Sequence, residues 1–184
     1  MTCIVGLVGE DGRVYIGGDS AGVAGYDLTL RKDAKVFRNG PFLIGYTTSF
    51  RMGQLLRYKL TVPEQEEGVD VETYLHTTFI ESVRTCLKEG GYASKDKDQE
   101  SGGTFLLGYR GRLFKVGSDY QLGEPQDGFD ACGCGESFAL GSLYETRQAF
   151  CMTAKTRIMH ALETAEHFSA GVRGPFLVMA MDEE

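Results

Sequence analysis

Two rhythms of apolar residues succeed one another along this chain. Short apolar runs bounded by Gly, Asn, Asp or Pro predict strands over 3–8 and 13–18, joined through residues 9–12 as a hairpin with a four-residue loop. A third extended segment is expected over 28–37, and Asn39-Gly40-Pro41 turns the chain into a fourth over 42–47. The spacing then becomes helical. Ser49 is placed to cap a helix reaching residue 60, and Asp70 to cap another carrying Val71, Leu75, Phe79, Val83 and Leu87 at helical intervals. Polar residues 94–101, with Gly102 and Gly103, read as a loop, after which strands over 104–109 and 113–116 pair around Arg110-Gly111. Residues 120–129 are rich in turn formers and 130–133 read as a short strand. Helices over 136–150 and 155–168 and a last strand over 175–181 complete the order.

Helices grouped in pairs between sets of strands predict an α+β chain rather than one that alternates strand and helix singly. Two stacked sheets with helices outside would bury every apolar face. At 184 residues the chain supports one substantial core, and a single domain spanning 1–184 is expected, with no internal repeat or low-complexity tract.

Composition excludes several classes of function. Hydrophobic residues at 42% and charged residues at 24% are the proportions of a soluble globular protein. A formal net charge of −7, with basic residues scattered, argues against nucleic acid as a partner, and Asp182, Glu183 and Glu184 read as a solvated end. No apolar run approaches the roughly 20 residues that span a bilayer, so no membrane is expected. Cys3, Cys86, Cys132, Cys134 and Cys151 are an odd set with no secretory leader before them, which fits a reducing cytoplasm. Cys132 and Cys134 lack a second Cys/His pair at zinc spacing, and His76, His160 and His167 are too scattered for a metal triad. Neither a metal nor an organic cofactor is expected.

The first hairpin carries the candidate chemistry. With Val8 opposite Arg13, Val5 faces Ile16, Leu7 faces Val14, and Thr2 faces Asp19. Removal of Met1 would make Thr2 the chain terminus. An α-amine has a pKa near ~7.7 to 8.0, low enough to act as general base toward its own hydroxyl around neutral pH. Such a centre needs an electrostatic frame. Asp19 is the candidate carboxylate. Lys35, beside apolar Val36 and Phe37, is a candidate buried ammonium in need of that partner, and Gly45 lets backbone approach a substrate carbonyl.

These segments, Thr2-Cys3-Ile4-Val5-Gly6, Ile16-Gly17-Gly18-Asp19-Ser20, Ala34-Lys35-Val36 and Leu43-Ile44-Gly45, resemble the proteasome β-subunit/HslV family of N-terminal-nucleophile (Ntn) hydrolases in order and spacing. The resemblance continues at Gly133-Cys134-Gly135 and at Glu166-His167-Phe168-Ser169-Ala170-Gly171, so it covers nearly the whole chain. It implies a four-layer αββα sandwich, two antiparallel sheets flanked by helices. It implies Thr2 as nucleophile and base, Asp19 and Lys35 as its charged frame, the Gly45 amide as oxyanion donor, and Leu43 and Thr47 in contact with substrate. Cys134 stands where the family pattern has serine and Glu166 where the proteasome pattern has aspartate; with Ser169 they form the implied support of the terminal amine. A homo-oligomeric ring, a peptide or protein substrate and an ATP-dependent unfoldase partner are implied as well.

The expected activity is therefore that of a threonine-type peptidase, with exposure of the amine resting on loss of Met1 because no propeptide precedes Thr2. Two rivals remain open: an Ntn amidase acting on a small molecule or one dedicated protein bond, and a non-enzymatic structural or assembly protein that keeps Met1. Cys3 is expected to pack in the core, and Ser142 lacks the Gly-x-Ser-x-Gly elbow of an α/β-hydrolase. The pocket that selects the cleaved residue is expected to draw on Asp33 and Phe37.

Overall fold

The computed structural model describes residues 1–149 and 151–181. In chain order the first strands are β1 (Cys3–Val8), β2 (Val14–Gly18), β3 (Ala21–Ala24), β4 (Asp27–Leu30), β5 (Val36–Asn39) and β6 (Phe42–Tyr46). Helix α1 (Phe50–Tyr58) follows, then α2 (Val71–Tyr74), which passes through a π turn at Leu75–Phe79 into α3 (Ile80–Glu89). Strands β7 (Ser94–Asp96), β8 (Gln99–Ser101), β9 (Phe105–Tyr109), β10 (Arg112–Val116), β11 (Leu122–Gly123) and β12 (Phe129–Gly133) precede helices α4 (Glu136–Glu145) and α5 (Ala154–Phe168) and strand β13 (Leu177–Ala180).

Two antiparallel sheets, ordered β12-β1-β2-β13 and β11-β10-β9-β6-β5, lie face to face. Ile4, Val14, Ile16, Leu43, Leu106 and Leu113 fill the space between them. On the far side of the first sheet, Val5, Leu7 and Ala131 pack against Ala139, Ile158 and Leu162 of α4 and α5. On the far side of the second, Ile44, Phe105 and Leu107 meet Met52, Leu56, Val83 and Leu87 of α1 and α3. The expected α+β architecture, a four-layer αββα sandwich, is thus the one observed. Covering both faces of each sheet explains why β6 and β9, central strands of the second sheet, are buried at every position instead of alternating with polar residues. No described helix is long and apolar enough to cross a membrane.

The sheets approach closely because glycines face one another's large side chains. A Cβ on Gly45 would lie 2.6 Å from methyl carbons of both Ile4 and Ile16, and one on Gly6 would lie 2.7 Å from Leu113. Helix starts follow the sequence: the Ser49 hydroxyl accepts from the Arg51 amide at 3.1 Å, and Asp70 accepts from the Thr73 amide at 2.9 Å. Arg110 and Gly111, both at positive φ (45° and 70°), make the two-residue turn between β9 and β10.

Four expectations need correction. The first hairpin is out of register by one residue, with Val8 opposite Val14 and Ile4 opposite Gly18. The Gly9 amide donates to the Arg13 carbonyl at 2.8 Å, and Gly12 at φ 74° absorbs the extra residue in a three-residue turn. Both faces of β1 are buried, so the apolar pattern favours neither register. The extended segment over 28–37 is instead the second half of a β3–β4 hairpin followed by a bend into β5. Residues 94–101 form the β7–β8 hairpin rather than a loop. The helix expected over 136–150 stops at Glu145 and continues as a 3-10 turn over Thr146–Gln148, while its last residue, Phe150, and the acidic end Asp182, Glu183 and Glu184 lie outside the described residues.

Because the Gly45 site has no room for a Cβ, Gly45→Ala is expected to destabilise the chain by about 1–3 kcal/mol. The urea unfolding midpoint measures this; an unchanged midpoint would show that the two sheets can separate at no cost.

Candidate active site

Three strand ends meet at one edge of the sandwich. Thr2 immediately precedes β1, Asp19 follows β2, and Lys35 precedes β5. All three are buried, at 5%, 2% and 3% exposure respectively. Lys35 Nζ donates to Thr2 Oγ1 at 2.9 Å, to Asp19 Oδ1 at 2.8 Å and to the Ala21 carbonyl at 2.7 Å. An ammonium has three protons, and here each has an acceptor.

The carboxylate is equally well engaged. Asp19 Oδ1 also accepts from the Cys3 amide at 3.0 Å, and Oδ2 accepts from the amides of Ala21 at 2.9 Å and Arg173 at 3.4 Å. Burial pulls the Lys35 pKa below its ordinary value, and the adjoining Asp19 opposes that shift without cancelling it. Thr2 does not touch Asp19 directly. In the observed register Asp19 lies opposite Cys3, its amide donating to the Cys3 carbonyl at 3.3 Å, and Lys35 bridges it to the threonine.

On the other side of Thr2, its backbone nitrogen donates to Cys134 Sγ at 3.3 Å, and Ser169 Oγ donates to the same sulfur at 3.4 Å. Cys134 therefore sits where a terminal amine at Thr2 would find an acceptor, with Ser169 one contact further out. The Thr2 hydroxyl also donates to the Met1 carbonyl at 2.5 Å, since Met1 precedes it here. Glu166 is placed elsewhere: its Oε1 accepts from the Gly174 amide at 3.0 Å and lies 3.7 Å from Arg173 Nη1. It holds the backbone next to Arg173, whose amide reaches Asp19, and so acts on the site through that loop rather than on Thr2 or Ser169.

Gly45 and Leu43 do not take the places expected of them. The Thr47 amide donates to the Thr104 carbonyl at 3.1 Å, so the alternation of an antiparallel ladder aims the Gly45 and Leu43 amides the same way, toward β9. The Gly45 amide is spent on that ladder. Leu43 is 1% exposed in the core between the sheets, away from any substrate. Phe37 is likewise core, whereas Asp33 lines an open pocket beside α1. Thr47 fares better. Its Oγ1 and the Thr2 carbonyl oxygen both crowd the point where a Cβ on Gly133 would stand, at 3.2 and 2.1 Å.

At the end of β6 the chain does something its sequence does not announce. Thr48 has φ 67°, an uncommon conformation for a β-branched residue, and its Oγ1 accepts from the Thr104 amide at 3.1 Å. The amides of Thr47 and Ser49 are engaged by Thr104 and Thr47 carbonyls, while that of Thr48 has no partner among the described residues.

No protein-family model matches the sequence, and no curated protein does. Solved structures match over almost the full length. Thiobacillus denitrificans BPH superposes with a TM-score of 0.83 at 20% identity, covering 98% of this chain and 97% of that one. HslV from Trypanosoma brucei gives 0.69 at 15% identity over 98% and 99%. Anbu, the ancestral beta-subunit from Yersinia bercovieri, gives 0.64 at 16% over 97% and 80%. This chain has the proteasome-type Ntn-hydrolase fold. At such identities the likeness is one of fold, and the chemistry of this Ntn-fold chain must be argued from its own residues.

Sequence reasoning missed the Ala21 carbonyl and the Cys3 and Arg173 amides that complete the Lys35–Asp19 pair. They are backbone groups, and only the unforeseen β3 strand would have located the first of them. For Thr48 no sequence signal exists, since threonine is among the least expected residues at positive φ.

Asp19→Ala strands a buried ammonium and is expected to cost about 3–5 kcal/mol, most of which Asp19→Ala with Lys35→Met should recover. Denaturant midpoints of the single and double variants test this. The pH dependence has a definite sign. Between the lowered folded pKa of Lys35 and its ordinary value of 10.5, the unfolded chain binds more protons, so this group's contribution to stability rises with pH across that window. Unfolding midpoints that stay flat there in wild type and fall in Lys35→Met would reverse the assignment.

Proposed function

We propose that this chain is an N-terminal threonine hydrolase that cleaves amide bonds in peptides or proteins. The observation that carries the reading is the Lys35 ammonium, 2.9 Å from Thr2 Oγ1 while anchored on Asp19 at 2.8 Å. Loss of Met1 converts the Thr2 nitrogen, already facing Cys134 and Ser169 through the sulfur, from a peptide amide into an α-amine. That amine takes the hydroxyl proton, and Lys35 stabilises the alkoxide as it attacks the substrate carbonyl carbon. The Thr48 amide, without a partner among the described residues, is the oxyanion donor in this scheme in place of Gly45. The C–N bond breaks, the proton passes from the Thr2 amine to the leaving amine, and water then releases the acyl group from Oγ1.

The rest of the proposal is coarser. Assembly into a homo-oligomeric ring, protein substrates delivered by an ATP-dependent unfoldase, and a cytoplasmic setting follow from the family resemblance; the five free cysteines suit a reducing compartment. Sedimentation that finds only monomers would remove the chamber and favour an amidase with a dedicated substrate. The second reading, a scaffold without activity, draws on the Thr2 hydroxyl bonding to the Met1 carbonyl. It requires Met1 to persist.

Intact mass decides between them: the purified chain is expected to lack Met1. The Thiobacillus protein has been solved in complex with Epoxomicin, and the same compound is expected to form an adduct here that Thr2→Ala abolishes. The labelling rate should rise with pH through about 7.7–8.0 as the α-amine loses its proton, and Lys35→Met should slow it on the order of 10²–10³-fold. A chain without Met1 that reacts equally well as Thr2→Ala would end the proposal.

A further inference from the structure

Between β6 and α1 the chain makes a turn that is unfavourable for the residue at its centre. The Ser49 amide donates to the Thr47 carbonyl at 2.8 Å across a single residue, and that residue, Thr48, has φ 67°. A three-residue turn closed in this way, with positive φ in the middle, is the strained form of the γ-turn. Glycine enters that region freely, whereas the branched Cβ of a threonine crowds the backbone there. Such strain persists only where the surroundings hold it.

What holds it is the segment that leads into β9. The Thr104 carbonyl accepts from the Thr47 amide at 3.1 Å, and the Thr104 amide donates to Thr48 Oγ1 at 3.1 Å, so one residue grips both halves of the turn. The preceding Gly103 is pressed in as well: a Cβ there would stand 2.4 Å from the sulfur of the fully buried Met52 and 3.1 Å from Thr48 Oγ1. Of the three hydrogen bonds that fix the turn, only the one accepted by Thr48 Oγ1 depends on a side chain.

The turn matters because of the amide it carries. Successive amides along a strand face opposite ways. The Thr47 amide faces β9 and the Tyr46 amide donates to the Lys35 carbonyl at 3.0 Å, so the Thr48 amide belongs to the Lys35 side of β6, where Thr2 and Asp19 converge. We propose that Thr48 is a positioning residue for the oxyanion site: its hydroxyl, clasped by the Thr104 amide, holds the left-handed turn that keeps the Thr48 N–H available to the substrate carbonyl oxygen. This role presupposes the hydrolase reading of Thr2 and adds to it the means by which the donor is fixed. Thr48 is exposed, so shortening its side chain leaves the core untouched.

Epoxomicin labelling of the chain lacking Met1, followed over a range of inhibitor concentrations in wild type, Thr48→Ala, Thr48→Ser and Thr2→Ala, tests the clasp. Thr48→Ala is expected to lower the limiting rate on the order of 10–10²-fold with the half-saturating concentration unchanged, because a misplaced donor weakens the transition state rather than the encounter. Thr48→Ser, which keeps the hydroxyl, should restore the rate. Amide hydrogen exchange, which needs no activity, should find the Thr104 amide protected in wild type and Thr48→Ser and faster in Thr48→Ala. Labelling of Thr48→Ala at the wild-type rate, a serine variant no faster than the alanine one, or Thr104 exchange indifferent to the substitution overturns the clasp and leaves the hydrolase reading standing. A wild type as unreactive as Thr2→Ala overturns the hydrolase reading and the positioning role together.

Discussion

One ammonium sets the conditions for the rest of this structure. Taking Lys35 out of water would cost several kcal/mol if it stood alone, and burying Asp19 would cost a similar amount. Lys35 finds no acceptor among its neighbours in sequence, and Asp19 gains only the Ala21 amide locally. The compensation exists only where the ends of β1, β2 and β5 come together and bring Thr2 Oγ1, Asp19 Oδ1 and the Ala21 carbonyl within 2.9 Å of one nitrogen. Those strands belong to different sheets, so the site forms only when the sheets are docked. Glycine at positions 6 and 45 is what lets them dock so closely. The same contacts that close the core therefore position the chemistry, and a change at Gly45 acts on the site through packing rather than through its amide.

How much of this was legible in the sequence depended on whether a residue's role was local. Ser49 and Asp70 satisfy amides two and three residues away, so their capping role can be read directly from position. Lys35 was legible for a different reason, an apolar setting that makes an unpaired charge untenable. The hairpin register was not, because residues on both faces of β1 are equally buried and the turn hid a left-handed Gly12. Gly45 failed for a related reason. A glycine in a buried strand can signal an amide open to a ligand or a close approach of another sheet, and the two differ only in which neighbour the N–H faces. That parity belongs to the pairing with β9, which the sequence does not state.

In the proposed hydrolase threonine, not the cysteine beside it, is the nucleophile, and the setting of Cys3 supports that reading. Cys3 is a more nucleophilic residue type, but its thiol packs with Val5 and Leu7 against the helices. Burial, then the negative charge of Asp19, raises its pKa well above the ordinary thiol value. Cys132, a strand neighbour across from Ile4, is raised in the same way by burial. The carboxylate that helps hold Lys35 against the threonine hydroxyl thus suppresses the thiolate of the adjacent residue.

Cys134 is the exception, since its sulfur is exposed and contacts the Thr2 nitrogen. A thiol accepts hydrogen bonds weakly. The 3.3 and 3.4 Å contacts to Thr2 and Ser169 are ordinary lengths for a sulfur acceptor, so their weakness lies in the thiol itself, whereas the 2.9 Å contact from Lys35 is made by a charged donor. In this chain the hydroxyl of Thr2 is held far more firmly than its nitrogen. The proton-accepting power of a terminal amine there would then be governed by its intrinsic basicity and by Lys35, with little contribution from the Cys134 side. A serine at that position would shift the balance by bonding the nitrogen more strongly, which makes the sulfur a determinant of how basic that amine can be.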